Sequence, residues 1–65
     1  MIDYSRIVKE RRKLLKVTQE ELSDATGVSL SFIKKIEQGK TNPSIGTLHI
    51  LVDALGMEIK IEPIK

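Results

Sequence analysis

Cysteine is absent from this chain of 65 residues, and with it go disulfides, thiolate metal sites and a cysteine nucleophile, so stability has to come from packing. One histidine, His49, stands without a second ligand nearby and reads as surface or packing, so neither a metal nor any other cofactor is expected. Tryptophan is also missing. Tyr4 and Phe32, the only aromatics, suit core or interface anchors better than the stacked platforms that readers of single strands need. No apolar run approaches the roughly 20 residues that cross a bilayer. The start, Met1-Ile2-Asp3-Tyr4, lacks the apolar stretch of a signal peptide, so a cytoplasmic protein with no membrane partner is expected. The glycines at 27, 39, 46 and 56 stand apart instead of forming a phosphate-cradling loop, and no nucleophile is paired with a base; an enzyme is not expected.

What is present is a globular balance, 40% hydrophobic and 31% charged, in a length that allows one domain and one small core. So small a core is marginal alone, and a partner subunit would help. The net charge of +2 favours nucleic acid only weakly, but its distribution is uneven. Arg6, Lys9, Arg11, Arg12, Lys13 and Lys16 gather near the start, and Lys34, Lys35 and Lys40 lie in the middle. Charge alone reads equally well as a solvated helix face.

Tyr4, Ile7, Val8, Arg11, Leu14 and Leu15 recur at helical spacing after a cap at Asp3 or Ser5, which predicts a first helix ending near Leu15. Thr18 followed three residues later by Glu21 is a capping box, opening a short second helix with Leu22 and Ala25 inward and Gly27 at its end. Ser29 caps a third helix, Leu30 to Gln38, closed by Gly39. After the Asn42-Pro43-Ser44 turn, Leu48, Leu51, Val52 and Leu55 keep helical spacing up to Gly56. The period then drops to two: Met57, Ile59 and Ile61 alternate with Glu58, Lys60 and Glu62, which predicts a strand over 57–62. No second strand exists in the chain, so its edges call for another molecule.

Two short helices joined by a tight glycine turn, the second opening with small polar residues, have the form of a helix-turn-helix, whose second helix enters the major groove of DNA. Ser29 and Ser31 can bond bases or phosphates, and Leu30 can meet a thymine methyl group. The sequence resembles the Cro/CI-type (XRE) helix-turn-helix regulators over roughly residues 7–55. The likeness runs through Lys-Glu-Arg-Arg (9–12), Thr-Gln-Glu-Glu-Leu (18–22), Thr-Gly-Val-Ser (26–29), Ile-Glu-Gln-Gly-Lys (36–40), Asn-Pro-Ser (42–44) and Ala-Leu-Gly (54–56). It implies a mainly α, four-helix, lambda-repressor-like domain over residues 1–65. It also implies that Gln19 contacts a phosphate and braces the recognition helix, that Ser29, Leu30, Ser31, Lys34 and Lys35 face the groove, and that Gln38 and Lys40 hold the DNA backbone. Arg12 and Glu37 are implied as a structural ion pair between the first and third helices. Leu30 departs from a glutamine common in the family, and Ser23 from an alanine, tolerable if its hydroxyl bonds a backbone carbonyl.

The tail, with Val-Lys-Glu-Arg-Arg (8–12) and residues 31–40, is similar to the HipB-type antitoxins, which dimerise through a C-terminal strand and repress their own operon. That likeness implies a homodimer on palindromic double-stranded operator DNA, an intersubunit β-sheet built from Met57, Ile59 and Ile61, and a HipA-type kinase toxin as a further partner. A stand-alone phage-like repressor or a restriction-modification controller is the alternative. A module that binds only protein would show no salt-dependent duplex binding.

Overall fold

The computed structural model describes residues 3–64, which form four helices: α1 (Tyr4–Leu14), α2 (Gln19–Thr26), α3 (Leu30–Glu37) and α4 (Ile45–Ala54). Each begins on a side chain that takes up an orphan backbone N–H. Asp3 caps α1, accepting from the Arg6 N–H at 3.2 Å, while Ser5 Oγ donates to the same carboxylate at 2.6 Å. Thr18 and Glu21 exchange both bonds of a capping box, 3.0 Å to the Glu21 N–H and 2.9 Å from the Thr18 N–H. Ser29 and Ser44 cap α3 and α4 through Phe32 and Thr47.

Three helices end in one device, the Schellman motif, in which a residue turns left-handed and its own N–H and that of the next residue bond back to helix carbonyls. In α3 the bonds run from Gly39 to Ile36 and from Lys40 to Lys35, and in α4 from Gly56 to Asp53 and from Met57 to Val52. In α1 they run from Lys16 to Lys13 and from Val17 to Arg12. Helix α2 stops at Gly27, left-handed at φ 77°.

Val8, Leu22, Ile33, Ile36, Leu48, Leu51, Val52 and Leu55 make one core, with Tyr4, Val17, Val28 and Phe32 packed at its edge. Helix α3 lies against α1 and α2, and α2 against α4. Two local expectations shift. Ala25 is exposed, and Gln19, Leu22, Ser23 and Thr26 are the residues of α2 that turn inward. On α1 the buried residues are Val8 and Arg12, leaving Ile7, Leu14 and Leu15 at 41%, 69% and 43% exposure. The stripe has rotated to carry Arg12 into the interior, which apolar periodicity does not anticipate.

The strand expected over 57–62 is not formed, and the described residues contain no strand. A strand is defined by its ladder, and one such segment in a single chain has nothing to pair with. Its alternation survives in part: Met57 and Ile59 pack on the core, whereas Ile61 is 82% exposed.

The capping box makes a pH-dependent contribution. The Thr18 N–H, with the Thr18 hydroxyl, holds the Glu21 carboxyl below its usual pKa. A depressed carboxylate stabilises fully above its unfolded pKa, and that support is lost as pH falls through the lower folded value. Glu21→Ala should therefore melt below wild type at neutral pH, with the deficit closing on acidification below about pH 4. Thr18→Ala should cost about 1 kcal/mol in urea melts.

Candidate nucleic-acid interface

The turn between α2 and α3 is held by short polar bonds. Thr26 Oγ1 donates to the Leu22 carbonyl at 2.7 Å and accepts from the Val28 N–H at 3.2 Å. Ser23 Oγ donates to the Val28 carbonyl at 2.7 Å, which accounts for a hydroxyl inside α2. No atom crowds a Cβ added at Gly27, so its positive φ, and not lack of room, favours glycine there.

This turn presents the start of α3 to solvent. Ser29 and Ser31 are exposed there and Leu30 is half-buried; Lys34 and Lys35 are exposed one turn on, and Gln38 and Lys40 just beyond the helix. The Ser29 oxygen accepts from the Phe32 N–H, so its O–H is left to donate. Ser31, Lys34 and Lys35 share one side at spacings of three and four residues.

Behind that surface lies a buried polar network. Arg12 meets Glu37 in a bidentate pair, Nε to Oε2 and Nη2 to Oε1, both at 2.8 Å, while Nη1 donates to the Val17 carbonyl at 2.9 Å. Gln19 Nε2 donates to Glu37 Oε1 at 3.2 Å. The Glu37 side chain is 3% exposed, and its bonds raise the pKa of the Arg12 guanidinium beyond its already high value. Four segments are thereby joined: α1, the α1–α2 junction, the first residue of α2 and the last of α3. The Val17 carbonyl carries no signal in sequence.

The cations of α1 and of the turn that ends it divide into two sets. Arg6 pairs with Glu10 on the surface, Arg12 with Glu37, and Arg11 Nε donates to the Leu55 carbonyl at 2.9 Å, capping the end of α4. Lys9, Lys13 and Lys16 are exposed and make no ion pair among the described residues. His49 is exposed on α4, and among the described residues no group of His, Asp or Glu is placed to hold a metal ion. No described helix is long and apolar enough to cross a membrane.

The Helix-turn-helix family matches residues 8–61. An uncharacterized HTH-type transcriptional regulator of Methanothermobacter thermautotrophicus is 40% identical over 52 residues, covering 80% of this chain and 75% of that protein. An immunity repressor protein of Bacillus phage phi105 is 36% identical over 80% of this chain, and an uncharacterized HTH-type transcriptional regulator of Haemophilus influenzae 37% identical over 83%. The matched stretch spans only 36% and 55% of those two proteins. No solved structure matches the chain significantly.

Removing one partner of the Arg12–Glu37 pair strands a buried charge at a cost of roughly 3–5 kcal/mol, whereas replacing both with apolar groups can be neutral. Arg12→Ala and Glu37→Ala should each melt far earlier than wild type, and Arg12→Met/Glu37→Leu should recover most of the loss. A double-mutant cycle read by thermal and urea melts measures the coupling; strict additivity would exclude it.

Proposed function

Because this chain belongs to the helix-turn-helix family, we propose that it is a sequence-specific DNA-binding transcriptional repressor that acts as a homodimer on a palindromic operator. The observation that carries this reading is the exposed start of α3 backed by the Arg12–Glu37–Gln19 network. Ser29, Leu30, Ser31, Lys34 and Lys35 read the major groove, while Gln19, Gln38 and Lys40 meet backbone phosphates. Gln19 carries two amide hydrogens, and its bond to Glu37 leaves one free for a phosphate.

The dimer in this reading forms through residues 57–62, paired antiparallel with their own copy on the two-fold axis. Tyr4, Ile7, Ile45, Met57, Ile59 and Ile61 line an apolar groove of about 310 Å³ beside the tail. Ile45 and Ile61 are 59% and 82% exposed, and a second subunit would cover them. Such a dimer sets two recognition helices about 34 Å apart, one turn of DNA.

The tail's likeness to the HipB-type antitoxins supports the finer assignment, an antitoxin that represses its own operon and binds a HipA-type kinase toxin. The phage immunity repressor among the relatives favours a second reading, a stand-alone repressor or a restriction-modification controller. Selection of bound fragments from the source genome reveals the operator, and the gene beside it, kinase-toxin or restriction, separates the two readings.

Replacing Ser31 and Lys34 with alanine should weaken operator binding and change base preference, whereas Lys40→Ala should weaken all duplexes alike and lower the salt slope by about 1. Unchanged operator affinity in the Ser31/Lys34 double variant rejects the recognition-helix assignment. Truncation after Gly56, or Ile59→Pro, removes the ladder and should give monomers with much weaker operator affinity. A truncated chain that sediments as a dimer as tight as the full-length protein places the interface elsewhere.

A further inference from the structure

The three Schellman motifs pose the same backbone problem, and in α3 and α4 glycine solves it, at Gly39 (φ 73°) and Gly56 (φ 74°). In α1 the left-handed residue is Lys16 (φ 57°), the only one besides glycine with positive φ among the described residues. A Cβ in that conformation crowds the backbone, and glycine is the lower-energy choice. Strain kept at one end, where the same chain uses glycine at two others, points to work done by the side chain.

The surroundings of Lys16 indicate what that work is. Lys13 and Lys9 lie one and two turns back on α1, and all three line an open recess of about 680 Å³ together with Gln19 and Gln38. None of the three lysines is ion-paired among the described residues, although all three α1 arginines are committed within the protein. Glu37, at the same recess, is neutralised by Arg12, which leaves Glu20 as the one exposed carboxylate there. Lys9 and Lys13 lie about 6 Å apart along the helix and Lys16 follows in the turn past its end, a spread that suits a run of phosphates better than one small anion.

We propose that Lys9, Lys13 and Lys16 bind phosphates of the DNA backbone, so that α1 adds a line of contacts beside Gln19 and carries the footprint past the groove entered by α3. This inference rests on the DNA-binding reading above. Lysine at the left-handed position is then a compromise in which helix-end stability is given up for a cation at the duplex.

The test uses the full chain, a mixed-sequence DNA duplex as probe, and fluorescence anisotropy over a series of salt concentrations. Lys16→Gly should move two observables in opposite directions. Its melting temperature should rise by a few degrees, while duplex affinity falls about tenfold near 0.1 M salt and the salt slope shrinks by about 0.9. Lys13→Gln should weaken binding in the same way without the gain in melting temperature. Wild-type affinity and slope in both variants overturn this inference alone, and a Lys16→Gly protein that melts below wild type overturns the strain argument. A wild-type protein that binds no duplex even at low salt overturns the DNA-binding reading and this inference with it.

Discussion

The arrangement turns on one buried cation. The Arg12 guanidinium spends three nitrogens inside the protein, two on Glu37 and one on the Val17 carbonyl, and Gln19 adds a third bond to Glu37, on Oε1. Every buried side-chain polar atom among the described residues has a partner, which is the condition under which a buried ion pair is tolerated. The pair adds little net stability by itself. What it adds is registration, because apolar contacts between α1 and α3 are non-directional, whereas a two-pronged bond permits one rotation and one axial position. Through Gln19 the same constraint reaches the start of α2, so the residue proposed to meet a phosphate and the helix proposed to read bases move as one body.

Local chemistry was the most legible part of the sequence. Caps at Thr18, Ser29 and Ser44 and the left-handed glycines at 27, 39 and 56 depend on a few neighbouring residues, and four helices form where those signals stand. Features decided by tertiary context were not legible in the same way. Apolar periodicity set Leu14 and Leu15 inward on α1, but an arginine took the interior place because its partner waits 25 residues away. Ala25 is small enough to fit either side of α2, so its identity says nothing about its direction. The C-terminal alternation is a quaternary signal at most: without a second strand the chain orders Met57 and Ile59 against its own core and leaves Ile61 in solvent. The pairing of Arg12 with Glu37 came from the family likeness, since spacing on separate helices contains no such information.

The same structure sorts charge by function. The arginines of α1 face inward or along the surface to specific acceptors, where a planar fork fixes geometry, while the lysines stay solvated as mobile point charges. A net charge of +2 would attract a polyanion feebly if spread evenly. Concentrating the unpaired cations near Gln19 and along α3 gives the molecule a polarity that its overall charge conceals.

Helix α3 has eight residues, two turns and about 12 Å of length. At about 3.4 Å per base pair, a helix of that length in a groove passes over roughly three or four pairs. A word of four letters recurs by chance every few hundred positions, whereas a genome offers millions of competing sites. In the proposed DNA-binding reading, one such helix is an incomplete address, and the second subunit of the proposed dimer supplies a second reader held at a fixed distance. On that proposal, the brevity of α3 ties selectivity to the number of subunits more closely than to the quality of any single contact.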